Sequence, residues 1–198
     1  FNGLAGLGAL QTSLARAGEF MVDQAKTDQI SLSNTYLAVV DELQDTYKSK
    51  NIKIIGKIDP TISVLASPEQ AHYLLFALLD NAMKFSLDGS SITVYGQANR
   101  RGVKIRVLDN GIGITQEQIN RLYQPFSRGT SVETFNFEGM GLGLYSLRML
   151  IDKMNGKLSI HNKSGHEKGT IAEITLPKVG NVAAPGQFTR VIKPQTMQ

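Results

Sequence analysis

The chain has 198 residues, enough for one domain with a sizeable core and short appendages. Hydrophobic residues at 41% and charged residues at 19% describe a folded protein, and a net charge of only +4 implies no nucleic-acid partner. There is no cysteine, which excludes disulfides and thiolate metal sites, and no apolar run approaches the roughly 18 residues that span a membrane.

Residues 1–21 place Phe1, Leu4, Leu7, Leu10, Leu14, Ala17 and Met21 on one helical stripe, close to a coiled-coil seam. Gly3, Gly6 and Gly8 weaken such a helix by about 1 kcal/mol each relative to alanine. It is therefore expected to pack on a partner helix. The first twenty residues lack the basic start and continuous apolar core of a signal peptide. The first residue is Phe1 rather than Met, which suggests a piece of a longer protein.

A polar stretch, 23–29, then reads as a linker. A short strand is expected near 30–32, followed by a helix over about 35–49 with Tyr36, Val40, Leu43 and Tyr47 on one face. Strands follow around 52–58 and 62–65. Ser67-Pro68-Glu69-Gln70 is a helix start: serine caps, proline suits the first helical position and Gln70 completes a capping box. That helix runs to about Phe85. Two strands rich in β-branched residues come next, at 91–98 and 103–109. Thr115 with Gln118 opens a short helix to Tyr123, and 124–140 shows little periodicity and reads as a mobile loop. A helix over 142–154 and strands at 157–162 and 170–176 complete the series. The tail from Pro177 holds three of the six prolines and reads as a linker. The order points to an α+β fold, a two-layer sandwich of a mixed, mostly antiparallel sheet with helices on one face.

Three places carry chemistry. On the helix that ends at Phe85, Asn81 and Lys84 share a face. An amide oxygen suits Mg²⁺ held mainly by phosphates and water, and a lysine one turn away suits the phosphates themselves. In Asp109-Asn110-Gly111-Ile112-Gly113, the carboxylate ends the apolar row Ile105, Val107 and needs a donor such as an adenine amino group. In Gly139-Met140-Gly141-Leu142-Gly143-Leu144, glycines lead into a helix whose first N–H groups suit phosphate. It is neither a Rossmann fingerprint nor a P-loop. Each has an ordinary alternative: a polar helix stripe, a hairpin turn, a flexible loop before a helix. Gly169-Thr170 alone says nothing. Order and spacing within about 90 residues make the joint pattern specific.

The series resembles the ATP-binding catalytic domain of sensor histidine kinases, in the superfamily shared with gyrase, the ninety-kilodalton chaperone and mismatch-repair ATPases. Residues 78–85 resemble the N box, 109–113 the first glycine box, 123–128 the F box and 139–144 the second glycine box. Gly169-Thr170 stands where the last box should be. The resemblance covers about 30–177, and 14–18 loosely resemble the end of a dimerisation helix. It implies a division into 1–22, the end of a dimerisation helix; 23–29, a linker; 30–177, the catalytic domain; and 178–198, a tail.

By that resemblance ATP and Mg²⁺ are the cofactors. Asn81 would hold the metal, and Lys84 and Arg128 would neutralise phosphate charge. Phe85 would flank adenine, Asp109 would accept from its amino group and Thr170 would support Asp109. Gly111, Gly113 and Ile114 would line the base site. Gly139, Gly141, Leu142, Gly143 and Leu144 would approach the phosphates, with 124–140 as an ATP lid. Implied partners are dimerisation and phosphotransfer helices, a response-regulator receiver domain and a second copy in the full-length protein. The domain would be cytoplasmic, its parent either free or anchored in the inner membrane.

One departure is informative. Four residues before Asn81 the kinases usually carry a polar residue and the superfamily's ATPases a catalytic Glu, whereas this chain has Ala77. A methyl group cannot activate water. That disfavours a hydrolase and leaves open a degenerate nucleotide sensor. None of His72, His161 and His166 lies on the N-terminal helix, so the acceptor histidine is expected upstream of residue 1. His72 is expected to have a structural or surface role.

Overall fold

The structure is a computed structural model that describes residues 27–116, 119, 143–165 and 167–178. The expected N-terminal helix, most of the short helix from Thr115, the loop at 124–140 and the C-terminal tail all lie outside the described residues.

Strand β1 (Asp28–Ser31) pairs antiparallel with β3 (Ser63–Ala66), and helix α1 (Leu32–Thr46) starts directly after β1. The strand expected at 30–32 and the helix at 35–49 are thus shifted. Ser31 is the reason, since it ends β1 and its hydroxyl accepts from Asn34 N–H as the helix cap. Leu32, Tyr36, Val39 and Leu43 are buried, with Val40 and Tyr47 partly so. Past Tyr47, Lys48–Lys50 form one 3₁₀ turn rather than more α-helix.

Helix α2 (Pro68–Phe85) has the expected bounds. Ser67 Oγ accepts from Gln70 N–H at 3.2 Å, and Gln70 Oε1 accepts from Ser67 N–H at 3.0 Å. Ser67 is only 3% exposed, and its replacement by alanine leaves the Gln70 N–H without its capping acceptor. Ser67→Ala is expected to cost about 1–2 kcal/mol, read as a midpoint lowered by roughly 3–6 °C in thermal melts.

The main sheet has the order β2 (Lys53–Ile58), β4 (Ser91–Asn99), β5 (Gly102–Leu108), β7 (Thr170–Leu176), β6 (Lys157–Asn162). Only β2–β4 is parallel. Period-two alternation buries Ile92, Val94, Ile105, Val107, Leu158, Ile160, Ile174 and Leu176 on one face. There they meet α1, α2 and helix α3 (Gly143–Lys153). On the other face Tyr95 lies between Lys57 and Arg106, at 5.2 and 5.1 Å from its ring centre, and Lys104 pairs with Glu173. Helices on one side of a mostly antiparallel sheet are the architecture expected from the sequence. No helix among the described residues is long and apolar enough to cross a membrane.

Candidate functional site

The C-terminal turn of α2 carries Asn81, Lys84 and Phe85. Asn81 donates its amide N–H to the Ala77 carbonyl at 2.7 Å, which fixes the rotamer and leaves Oδ1 without a donor among the described residues. Lys84 has a further partner on the same helix. Its ammonium meets Asp80 at 2.5 Å, one turn earlier, and the Tyr47 hydroxyl donates to the other Asp80 oxygen at 2.6 Å. Burial, and then the Asp80 carboxylate, push the Tyr47 hydroxyl far above the usual tyrosine range. Lys50 closes the helix, its ammonium donating at 2.9 Å to each of the Met83, Lys84 and Ser86 carbonyls. A cation belongs there, at the negative end of the helix dipole.

Asp109 follows β5 directly, in line with Ile105 and Val107, and is 6% exposed. Its Oδ1 accepts from Gly111 N–H at 2.8 Å and from Thr170 N–H at 3.0 Å. Its own N–H donates to the Thr170 carbonyl at 3.1 Å. Burial raises the carboxyl above the usual carboxylate range, opposed by the Thr170 and Gly111 hydrogen bonds and by the Lys163 charge. A carboxylate accepts about four hydrogen bonds, so capacity remains for a ligand donor.

The glycine turn lies against the end of α2. Ser86 bridges Gly111, Ile112 N–H reaches the Phe85 carbonyl at 3.3 Å, and a Cβ on Gly111 would stand 2.2 Å from that oxygen. Only glycine permits this approach. Phe85 and Ile112 are 41% and 42% exposed, apolar surface beside the buried carboxylate. Gly113 lies against Asn162, whose side chain accepts from Ile114 N–H at 2.7 Å and donates to the Ile114 carbonyl at 2.5 Å.

Gly143 begins α3, and its carbonyl accepts from the Tyr73 hydroxyl of α2 at 3.4 Å; Leu144 packs on the core. The structure therefore brings Asn81, Lys84, Phe85, Asp109, Gly111, Gly113, Ile114 and Thr170 to one end of the sheet, with Gly143 and Leu144 tied to α2. Arg128, Gly139, Gly141 and Leu142 lie outside the described residues. Ala77 is 4% exposed, a methyl group inside the core. His72 pairs with Glu42 at 2.9 Å and stacks on Phe76, a structural role in line with the expectation. His161 is exposed, and His166 lies outside the described residues.

The profile of the histidine kinase-, DNA gyrase B- and HSP90-like ATPases matches residues 66–180, more than half of the chain. The chain belongs to this ATPase family. Its ATPase domain is of the histidine kinase type. Among its relatives, the autoinducer 2 sensor kinase/phosphatase LuxQ of Vibrio harveyi is 28% identical over 159 residues, 77% of this chain. The sensor histidine kinase RcsC of Escherichia coli (strain K12) is 33% identical over 134 residues, 66% of this chain. The matched parts are 18% and 14% of those proteins' own lengths, so the chain spans less than a fifth of each. The Acinetobacter baumannii histidine kinase AdeS superposes with a TM-score of 0.69 at 19% identity, covering 89% of this chain and 80% of that one. The mycobacterial sensor histidine kinase MprB does so at 0.66 and 20%, covering 76% and 97%. At such identities these likenesses speak for the ATPase fold.

Sequence reasoning missed several residues around the candidate site. Asp80 was findable, as an acid one turn before Lys84. Tyr47 and Lys50 reach α2 across 33 to 36 positions, and Asn162 and Lys163 reach the glycine turn across 48 and 53. No local pattern marks contacts of that range.

Proposed function

We propose that this domain binds Mg²⁺-ATP and donates its γ-phosphoryl group to a histidine of a two-component sensor kinase, with a receiver domain as the next acceptor. The observation that supports this most is Asp109, a buried carboxylate oriented by two backbone N–H groups beside exposed Phe85 and Ile112. That arrangement suits a flat base with an amino donor at its edge. Asn81 Oδ1 is directed by the Ala77 bond and would hold Mg²⁺; among the described residues no cluster of three acidic or imidazole side chains competes for the role. Magnesium, when bound, neutralises phosphate charge. Lys84, held by Asp80, would add a point charge. Arg128, Gly139, Gly141, Leu142, Gly143 and Leu144 would approach the phosphates.

The domain division given above, the dimerisation helix, the homodimer and a cytoplasmic location with an inner-membrane anchor on the parent belong to the same reading. The acceptor is a histidine other than His72, His161 and His166, on a phosphotransfer helix. Radiolabelled ATP is therefore expected to bind the purified chain without labelling it, and to label the full-length kinase. Asn81→Ala is expected to lower that labelling at least about a hundredfold, as loss of about 3 kcal/mol of transition-state stabilisation would. Efficient labelling of the isolated chain, or an unaffected Asn81→Ala, would sink the proposal.

Ala77 favours one second reading, a nucleotide sensor without transferase activity. Ala77→Asn in the full-length protein separates the two. Robust wild-type labelling that asparagine does not improve ends the sensor reading; labelling that appears only with asparagine supports it.

A further inference from the structure

The corner between β6 and β7 reaches the glycine turn at two places. Asn162 makes the reciprocal pair with Ile114, at 2.7 and 2.5 Å, and so mimics a strand neighbour at the point where the chain leaves the turn. Lys163 donates to Asn110 Oδ1 at 2.6 Å. Asn110 in turn donates to the Ser91 carbonyl at 2.7 Å and to its hydroxyl at 3.1 Å. A polar strap therefore runs from the β6–β7 corner through Asn110 to the start of β4. It crosses immediately beside Asp109. The corner is itself anchored, since Lys163 N–H donates to the Gly169 carbonyl at 3.1 Å.

We propose that Asn162 and Lys163 are positioning residues for base recognition: Asn162 holds the exit of the glycine turn at Ile114, and Lys163 holds Asn110 and keeps Asp109 ready as an acceptor. Their role presupposes that Asp109 receives the adenine amino group, as proposed above. Neither residue is needed to complete the sheet, because the β6–β7 ladder runs from Lys157–Thr175 to Asn162–Thr170 through backbone pairing. What their side chains hold is the turn alone.

The charge of Lys163 gives the proposal a distinctive signature. The end of α2 presents a backbone carbonyl to the turn, β7 presents the Thr170 N–H and hydroxyl, and the turn itself presents Gly111 N–H. Lys163 is the charged side chain among the described residues that acts on Asp109. It favours the ionised carboxylate, against burial. ATP affinity therefore falls as pH drops through the Asp109 pKa, and without Lys163 that fall starts at higher pH.

The test is a fluorescent-ATP titration of the chain from pH 5 to 8, with Asp109→Asn, Lys163→Gln, Lys163→Arg and Asn162→Ala beside the wild type. Lys163→Gln is expected to move the acid limb to higher pH, and Lys163→Arg to restore it. Asn162→Ala is expected to weaken binding at least about threefold at every pH, the size of a lost polar contact, without moving the limb. A softened fold would lower the melting midpoint of either variant, and for Lys163 would lower affinity evenly with no recovery by arginine. If Lys163→Gln keeps the wild-type limb, or Asn162→Ala binds as tightly as wild type, while Asp109→Asn binds weakly, the positioning role is overturned. Should wild type not bind ATP, or Asp109→Asn bind unchanged, it is the assignment of Asp109 that fails.

Discussion

Asp109→Asn is expected to lower ATP affinity at least about fivefold while leaving the ligand-free domain as stable as before or more so. The substitution keeps the shape. Asn Oδ1 can still accept from Gly111 and Thr170, now at 2.8 and 3.0 Å from the Asp109 oxygen. The amide nitrogen then faces the adenine amino group, donor against donor. An unmatched buried pair of that kind costs about 1–3 kcal/mol, and 1.4 kcal/mol is a factor of ten. Stability moves the other way. A carboxyl whose folded pKa lies above its unfolded value costs stability once ionised; the cost is present above the folded pKa and fades as pH falls through it. Asparagine removes that cost at every pH. Calorimetric titration and a melting curve on the same sample check both signs. A lower midpoint with unchanged affinity would make Asp109 a structural residue only.

Gly169→Ala is expected to be among the most damaging single-methyl additions in the described part of the domain. Gly169 has φ +124°, and its added Cβ would stand 2.2 Å from the Asp109 carbonyl oxygen and 3.2 Å from Asn110 Cα. These obstacles are backbone, so no side-chain rotation relieves them. The dihedral strain alone is worth about 1–3 kcal/mol. Relief of the clash must also separate the first residue of β7 from Asp109 and so break the Thr170 hydrogen bonds. A total of about 3–5 kcal/mol follows, equivalent to a midpoint lowered by roughly 10 °C. ATP binding should fall with it, below that of Asp109→Asn. A midpoint within about 2 °C of wild type would contradict the packing of the β7 start against Asp109.

The two variants differ in what made them visible. Asp109 was legible from the sequence, because a carboxylate that ends the alternating row Ile105, Val107 must lie on the buried face. The importance of Gly169 was not. A Gly-Thr pair at the start of a strand is common, and only pairing of β5 with β7 shows that it abuts the glycine turn. Helix α2 was read to its ends, since the capping box and Pro68 act within four residues. The start of α1 was misplaced, because Ser31 serves two elements and strand signals ran past it to Leu32.

The sequence by itself determined most of the described elements and marked the candidate nucleotide-binding motifs, properties set by neighbours a few residues apart. The tertiary structure alone decided which side chains hold those motifs. Lys84 answers to Asp80 and Tyr47, the end of α2 to Lys50, and the glycine turn to Asn162, Lys163 and Gly169. Most of these partners are 33 to 61 residues apart, and they meet only because strand register and helix packing bring distant backbone together.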